Sequence, residues 1–333
     1  MRSLPRYRGL ALLASVSVVL LLAASSASAH DAPPHDDAVR VVASGPGLTV
    51  GSAVGPDGAL YVTDASAGTL VRVDPRTGRS LVVADGLPVQ GAPGVGGPMD
   101  VAFLDGTAYV LVTFVGPDVG GTGINGIYRI DGHGATPIAD IGAFATANPP
   151  ATDYVVPSGL QFAFIAYRGA FLVTDGHHNR VYRVTTSGEV SVAAAFADDV
   201  PTGITSRGRT VWMTFAGPVP HLPESGRVVR LDLASQSAVP IASGARLAVD
   251  VAVKGSDLYV LSQGQLPAGA EPGTPALPGT GALYRVAGDG TMRLVVDGLD
   301  RPTSLQIIGR TAYIVTLDGE IDAVSLARHG GSH

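Results

Sequence analysis

The stretch GALYVTDASAGTLVRVDPRTG, residues 58–78, decides the fold of this chain, because GAFLVTDGHHNRVYRVTTSG at residues 169–188 repeats its pattern. The interval from Asp64 to Asp175 equals the interval from Arg72 to Arg183. Both stretches consist of short apolar runs bounded by Gly, Asp or Pro, which is typical of β-strands joined by tight turns. A repeat at a long fixed interval indicates an array of similar β units.

The strand ALYVTD at residues 59–64 recurs five times along the chain. The copies are TAYVLV at 107, AFLVTD at 170, TVWMTF at 210, DLYVLS at 257 and TAYIVT at 311. In each unit one apolar strand precedes this copy and two follow it. One unit therefore holds four short strands in roughly 48 residues. The sequence therefore predicts an all-β fold, a six-bladed β-propeller of four-stranded antiparallel blades.

The last unit provides only three strands, SLQII, TAYIVT and EIDAVSL, within residues 303–326. A three-stranded blade would leave an unpaired edge. The segment VRVVASG at residues 39–45 resembles the trailing strands of other units and has no unit of its own. We therefore predict that this N-terminal strand completes the last blade and closes the ring.

The first residues have the pattern of a secretory signal peptide. Arg2, Arg6 and Arg8 precede an apolar run, and ASA at residues 27–29 provides a small-x-small cleavage site. The run is shorter than the roughly 20 residues that span a bilayer. We expect cleavage after Ala29, secretion to the extracellular space and no stable membrane anchor. The predicted organisation is a signal peptide at 1–29, a disordered leader at 30–37, a single propeller at 38–327 and a disordered tail at 328–333.

The chain is acidic and contains no cysteine. It has 22 Lys and Arg against 28 Asp and Glu, for a net charge of −6, and loss of the three leader arginines makes it more acidic. Nucleic acid and anionic membranes are therefore poor partners. Disulfide bonds and thiol catalysis are impossible, and we expect a monomer that core packing stabilises.

The segment DGHHNRVYRV at residues 175–184 resembles the blade signature of NHL repeats, in which Asp, then Asn-Arg, then alternating apolar residues mark the second and third strands. Together with VGPDGALYVTD at 54–64 and the leader, residues 38–327 resemble the ScyD/ScyE-type family of secreted six-bladed propellers. The resemblance implies the fold and secretion. It implies no reaction, because that family has no agreed one.

In a propeller blade, the turn from the first to the second strand and the turn from the third to the fourth strand lie on the same face of the disc. In this sequence both kinds of turn are very short. The long insertions all fall on the opposite face, at residues 87–98, 115–126, 143–157, 216–226 and 262–281. Long loops rich in Gly and Pro favour a binding role. Neutral drift on an unconstrained surface is the alternative. The first function we predict is a non-enzymatic module that binds a small molecule, a glycan or a protein through this face.

Aligning the inner strands places six residues at one level of the channel mouth, namely Gly51, Asp100, Gly159, Gly203, Asp250 and Ser304. Ser158, Thr202 and Thr303 lie just before this level and are, with Ser304, candidate ligand-binding hydroxyls. Asp100 and Asp250 are three blades apart and hence opposite each other. Two carboxylates with hydroxyls between them suit Ca²⁺. Alternatively, each Asp accepts hydrogen bonds from backbone N–H groups.

Three histidines complete the candidate set. His177 and His178 lie in a turn of the third blade, and His221 lies in the insertion at 216–226. They are candidate ligand contacts on the insertion-bearing face. The alternative interpretation is that His177 and His178 are solvated residues of a turn that Asp175 and Asn179 fix.

The alternative function is a calcium-dependent hydrolase of the lactonase kind with its site at the channel mouth, for which calcium is the expected cofactor. A quinone-dependent dehydrogenase would need basic residues around the channel, and the ring level has none. Lactonase propellers carry a Glu and Asn-rich ligand set on their inner strands. Here Gly51 stands at the corresponding first-blade position and no inner-strand Asn is found. No G-x-S-x-G motif is present either, so the sequence does not indicate a serine nucleophile.

Overall fold

The computed structural model describes residues 39–45, 47–89, 96–218, 221–222, 224–270 and 273–326. Within them the chain forms strands β1 to β24, one short α-helix and one 3-10 turn. The predicted signal peptide, leader and tail, at residues 1–29, 30–37 and 328–333, lie outside the described residues. No helix in the described part of the chain is long and apolar enough to span a membrane.

The strands form six separate four-stranded antiparallel sheets. Blade 1 consists of β2 (Thr49–Val54), β3 (Leu60–Asp64), β4 (Thr69–Val73) and β5 (Ser80–Ala84). Blade 2 consists of β6 (Gly97–Leu104), β7 (Thr107–Thr113), β8 (Gly126–Asp131) and β9 (Gly134–Asp140). Blade 3 consists of β10 (Gln161–Tyr167), β11 (Ala170–Asp175), β12 (Arg180–Thr185) and β13 (Val190–Ala195).

The second half of the ring repeats this arrangement. Blade 4 consists of β14 (Val200–Arg207), β15 (Thr210–Gly217), β16 (Arg227–Asp232) and β17 (Ser237–Ser243). Blade 5 consists of β18 (Ala248–Lys254), β19 (Asp257–Ser262), β20 (Gly281–Val286) and β21 (Met292–Leu299). Blade 6 consists of β22 (Pro302–Ile308), β23 (Thr311–Thr316), β24 (Glu320–Ser325) and β1 (Val39–Ser44). The predicted six-bladed propeller is confirmed.

The N-terminal strand β1 closes the ring, as predicted. It pairs antiparallel with β24, so that Val39 lies opposite Val324 and Ser44 lies opposite Glu320. Because β1 and β24 come from the two ends of the chain, backbone hydrogen bonds join the ends and leave β24 without an open edge.

The core lies between neighbouring blades. The second strands are buried on both faces, and every residue of β11 is buried. Tyr109 of blade 2 packs on Phe171 of blade 3 with ring centroids 4.8 Å apart. Leu60 of blade 1 shares a buried cluster with Tyr313 of blade 6. Burial of each such side chain contributes about 2 kcal/mol, and a single blade could not bury both of its faces.

The short turns occupy one face of the propeller. The turn between β6 and β7 contains Asp105 and Gly106 with φ of 50° and 81°, and the turn between β10 and β11 contains Arg168 and Gly169 with φ of 52° and 72°. Positive φ at both central residues is the signature of a type I′ hairpin turn, whose twist matches the strands. The long connections therefore emerge on the opposite face, called the insertion face below and defined by the described residues within 87–98, 115–126, 143–157, 216–226 and 262–281. The helix α1 (Ile141–Ala147) runs into one of these insertions.

The glycines that end the two stretches quoted at the outset explain part of the repeat. Gly78 and Gly188 have φ of +71° and +92°. A Cβ on Gly78 would lie 2.2 Å from the carbonyl oxygen of Val42, and one on Gly188 would lie 2.2 Å from that of Ile138. In both cases the turn between the third and fourth strands packs on the outer strand of the preceding blade, and only glycine fits there.

Candidate functional site

The inner strands of all six blades enclose a cavity of about 350 Å³ on the propeller axis. Most of the lining residues have apolar side chains. The polar lining residues are Ser52, Asp100, Thr205, Ser206, Asp250, Thr303, Ser304 and Gln306. Asp100 and Asp250 are the only charged residues among the described residues that line this cavity.

Asp100, in β6, connects three blades. Its Oδ1 accepts a hydrogen bond from Val101 N at 2.8 Å. Its Oδ2 accepts one from Phe164 N, in β10 of blade 3, at 2.9 Å. On the other side Asp100 lies over Gly51 of blade 1, where a Cβ would stand 2.5 Å from Oδ1.

Asp250, in β18, repeats this arrangement in the other half of the ring. Its Oδ1 accepts from Val251 N at 2.7 Å, and its Oδ2 accepts from Leu305 N of blade 6 at 2.7 Å. The hydroxyl of Ser304 also lies 3.3 Å from Oδ2. A Cβ on Gly203 of blade 4 would stand 2.5 Å from Oδ1. Each half of the ring therefore has one carboxyl group that joins three successive blades.

Burial governs the ionisation of both groups. It raises the pKa of Asp250 to about 7, against the effect of the backbone N–H donors. Burial raises the pKa of Asp100 well above its usual value, and the charge of Asp250 adds to this shift. Two buried carboxyl groups whose charges repel each other disfavour simultaneous ionisation.

At Asp100 and Asp250 the structure shows hydrogen bonds to the protein backbone. Both oxygens of each carboxyl already accept backbone N–H groups. In the part of the chain that the structure describes, no group of three or more His, Asp or Glu could hold a metal ion. The alternative interpretation, in which each Asp accepts backbone hydrogen bonds, describes the observed contacts.

The structure corrects the predicted level in blade 3. The backbone N–H groups of Phe164 and Leu305 each donate to the Oδ2 of an Asp on the preceding blade. The two residues therefore occupy the same position in the inner strands of their blades. The residue at the level of Asp100 is then Ala163, and not Gly159. Gly159 and Ser158 precede β10 and lie outside the cavity lining. Sequence alignment placed Gly159 at this level because its neighbours resemble those of Gly203, whereas strand pairing sets the actual register.

The other predicted hydroxyls bond to the protein itself. The Oγ1 of Thr202 donates to the carbonyl of Ala248, in the next blade, at 2.8 Å. The Oγ1 of Thr303 donates to the carbonyl of Val315 at 3.1 Å. Thr303 and Ser304 line the cavity, whereas Thr202 does not. Of the candidate hydroxyls, the structure thus brings only those two together with the Asp pair.

His177 and His178 hold an insertion in place. The Nε2 of His177 accepts from Val155 N at 2.8 Å and from Val156 N at 2.9 Å. The Nε2 of His178 lies 3.0 Å from the carbonyl of Val156 and donates to it. Burial lowers the pKa of His177, against the charge of Asp175, so the neutral acceptor form is favoured. Neither of the two interpretations from sequence anticipated this contact with the insertion at 143–157.

His221 is bonded within its own insertion. Its Nδ1 lies 2.9 Å from the carbonyl of Gly217 and donates to it. Burial also lowers the pKa of His221. The three histidines thus lie on the insertion face as predicted, and each has a protein partner there.

Exposed apolar side chains on the insertion face were missed by sequence reasoning. The exposed large apolar residues of the insertions are Val89, Tyr154, Val155, Leu222 and Leu277. Val155 is 85% exposed, more than any other large apolar residue of the described chain. The remaining exposed large apolar residues lie in outer strands and are Val39, Val41, Leu81, Val82, Val239 and Leu294. An available signal was proline, because Val89, Leu222 and Leu277 each stand beside one.

The loops of the insertion face also carry mostly negative charge. Among the described residues, the acidic ones in the blade-to-blade connections and in the turns between second and third strands are Asp85, Asp118, Asp153, Asp198, Asp199, Glu224, Asp300 and Asp318. The arginines in the same loops are Arg246 and Arg301. Arg301 is paired with Asp300 and Asp318. Asp199 is paired with Arg227, which begins β16. The insertion face therefore carries exposed apolar side chains and more acidic than basic loop residues, called its acidic surround below.

Comparison with known proteins shows the fold. No protein-family profile and no curated protein matches the sequence. Among solved structures, the chain is similar to a PQQ-bound aldose sugar dehydrogenase from Streptomyces coelicolor, with 14% identity, a TM-score of 0.59, and coverage of 88% of this chain and 99% of that one. It is similar to a gluconolactonase from Xanthomonas campestris, with 14% identity, a TM-score of 0.58, and coverage of 87% and 89%. It is also similar to virginiamycin B lyase from Staphylococcus aureus, with 16% identity, a TM-score of 0.52, and coverage of 87% and 99%. At these identities the likeness concerns the fold alone.

Proposed function

We propose that this protein is a secreted, non-enzymatic binding module whose insertion face recognises a basic polypeptide with apolar side chains. The observation behind the proposal is the ordered display of Val155. Its side chain is exposed while its backbone N–H is bonded to His177. An apolar side chain held on a fixed backbone loses little conformational entropy on binding.

The chemistry of the surround favours this class of partner. Exposed apolar side chains grouped on one face mark interaction surfaces. An acidic surround attracts basic groups and repels phosphate, which disfavours nucleic acid. A glycan or a small neutral molecule would draw no benefit from the negative charge. For this reason a polypeptide partner is preferred over the other two ligand classes considered from sequence.

Titration calorimetry with two model peptides tests the proposal. One peptide alternates Lys and Leu, and the other alternates Glu and Leu. We expect at least tenfold tighter binding of the Lys/Leu peptide, weakened by added salt because screening reduces the charge attraction. The double substitution Tyr154→Ser and Val155→Ser should reduce the affinity at least tenfold.

The matched control is Leu81→Ser with Val82→Ser, which removes two exposed apolar side chains from the outer strand β5. This control should bind like the unsubstituted protein. Equal affinity for both peptides would contradict recognition by the insertion face. An equal loss of affinity for the Lys/Leu peptide in the two double variants would contradict it as well.

The second candidate is a hydrolase of the lactonase kind that acts in the central cavity. Its support is the axial cavity and the fold shared with a gluconolactonase. Against it stands the engagement of the donors, since each carboxyl oxygen of Asp100 and Asp250 accepts a backbone N–H group. A quinone cofactor with carboxylates does not fit, because the described lining contains no Lys, Arg or His. Release of acid from gluconolactone, measured with calcium and with a chelator, distinguishes this candidate from a binding module.

We also propose export and membership of the ScyD/ScyE-type family. The leader pattern and the NHL-like segment at 175–184 support these two proposals. Mass spectrometry of protein recovered outside expressing cells is expected to show an N-terminus at His30. Recovery only inside the cells, with Met1 retained, would contradict export.

A further inference from the structure

The repeated aspartates Asp64 and Asp175 have the same place but different partners. Each ends the second strand of its blade. The Oδ1 of Asp64 accepts from the backbone N–H groups of Ser66 and Ala67, both at 3.0 Å. The Oδ1 of Asp175 accepts from the two corresponding N–H groups, those of His177 and His178. One oxygen of each carboxylate therefore fixes the turn that follows.

The second oxygen of Asp175 has a partner in blade 3. The Nε2 of Gln161 donates to Asp175 Oδ2 at 2.7 Å and to the carbonyl of Ser158 at 2.9 Å. Gln161 lies directly opposite Asp175 in the pairing of β10 with β11. The long amide side chain thus occupies the space beside the carboxylate and satisfies it.

In blade 1 the corresponding place is unfilled. Thr49 lies opposite Asp64, as Gln161 lies opposite Asp175. The shorter Thr49 side chain turns away, and its hydroxyl donates to the carbonyl of Thr316 in blade 6 at 2.6 Å. Asp64 is fully buried, and its Oδ2 has no hydrogen-bond partner.

Asp64 also lines a void of about 20 Å³. Residues from both sides of the ring closure line it, including Asp64 and Thr49 of blade 1 and Ser44, Gly45 and Gly319 of the closing blade. No Lys, Arg or His in the described chain lines it. Its size suits one water-sized particle, and a buried carboxylate without a counter-charge is strongly unfavourable.

We propose that this void is a binding site for one small inorganic cation, Na⁺ or Ca²⁺. The cation would neutralise Asp64 and accept oxygen ligands from the residues around it, as hard cations prefer. In blade 3 the equivalent position beside Asp175 holds the amide group of Gln161, whose N–H carries a partial positive charge. Since the void lies where β1 and blade 6 meet blade 1, the cation would strengthen ring closure. This inference is independent of what the insertion face or the axial cavity binds.

Thermal unfolding of the exported chain in three salts tests the proposal. Sodium chloride, calcium chloride and choline chloride are compared at equal ionic strength, because choline is too large for the void. We expect a melting temperature several degrees higher with Na⁺ or Ca²⁺ than with choline. Thr49→Gln copies the blade 3 arrangement and should raise the melting temperature in choline while abolishing the difference between salts.

Two further variants make the result decisive. Asp64→Asn removes the charge, keeps an acceptor for Ser66 and Ala67, and should also abolish the salt difference, so it replaces Thr49→Gln if that variant fails to fold. Asp175→Asn is the matched control and should keep the salt difference. Equal melting temperatures in all three salts for the unsubstituted protein would overturn the proposal in favour of a water molecule. A salt difference that persists in Asp64→Asn would overturn it as well.

Discussion

At the scale of single residues, the axial aspartates act as connectors between blades. Each of Asp100 and Asp250 lies over a glycine of the preceding blade and accepts a backbone N–H of the following one. A carboxylate can accept several hydrogen bonds and donates none when ionised. The same two residues therefore have a structural role, because each joins three successive blades.

Asp250 should make stability fall as pH rises. Its pKa is raised from 3.8 to about 7, so between these values the folded protein holds a proton that the unfolded chain has released. The destabilisation is absent below about pH 4 and complete above about pH 7, and one pKa unit corresponds to about 1.4 kcal/mol. In Asp250→Asn, the free energy of unfolding should fall less steeply between pH 4 and 7, as denaturant titrations at several pH values would measure.

Part of the decrease of unfolding free energy with pH should remain in Asp250→Asn. The reason is that burial also raises the pKa of Asp100, and raises that of Asp322 to about 6. The exposed Asp105→Asn is the control and should keep the full slope. An identical slope in Asp250→Asn and the unsubstituted protein would show that Asp250 ionises in the folded state as it does in the unfolded chain.

Gly51→Ala should be strongly destabilising. The added Cβ would stand 2.3 Å from the carbonyl oxygen of Met99 and 2.5 Å from Asp100 Oδ1. Backbone atoms cannot move aside easily, so we expect a loss of about 3 kcal/mol in denaturant unfolding. Gly288→Ala is the control, since nothing lies within 4 Å of its Cβ position. A loss below about 0.5 kcal/mol for Gly51→Ala would contradict this close approach.

At the scale of elements, the insertions and the closing strand depend on contacts between distant segments. The insertion at 143–157 is bonded to the turn after β11 through His177 and His178. The strand β1 pairs only with β24. Neither segment is stabilised by its own sequence alone, because a single strand or an irregular loop buries too little surface to offset its conformational entropy.

His177→Ala should release the insertion without unfolding the propeller. The N–H groups of Val155 and Val156 lose their acceptor, at about 1 kcal/mol each, so their hydrogen exchange should accelerate by about tenfold. His221→Ala, in another insertion, is the control and should leave these two amides unchanged. Unchanged exchange in His177→Ala would show that other contacts hold the segment.

Acid pH should release the insertion at 143–157 in the same way as His177→Ala. The pKa of His177 is lowered on folding, so its contribution is fully present above the ordinary histidine value near 6.5 and is lost as pH falls through the lowered value. Protonation converts Nε2 from an acceptor to a donor. After correction for intrinsic rates, exchange at Val155 and Val156 should therefore become faster at acid pH, and the acid effect should vanish in His177→Ala.

At the scale of the whole molecule, stability rests on an unbroken ring of blade contacts. Each blade buries its faces only against its two neighbours, and β1 completes one of the six sheets. The ring also separates two surfaces, a face of tight turns and an insertion face that is acidic and partly apolar. The proposed binding function belongs to the second surface.

Removal of residues 30–45 should lower the denaturant midpoint markedly, because β24 loses its partner and the ring loses its closure. Removal of residues 30–37 alone is the control and should have little effect. Guanidinium unfolding monitored by far-UV circular dichroism measures both. If the two truncated chains unfold at the same midpoint, β1 does not close the ring.

The sequence by itself determined the number of blades, the four strands of each blade, the closing strand and the face that carries the insertions. These features depend on local patterns, such as apolar runs, tight turns and a blade short of one strand. Only the tertiary structure decided that Ala163 replaces Gly159 at the axial level, that His177 and His178 hold the insertion at 143–157, and that Asp64 lacks the partner that Gln161 gives Asp175. Such contacts follow from strand register and side-chain length across separate blades, which no local stretch of sequence specifies.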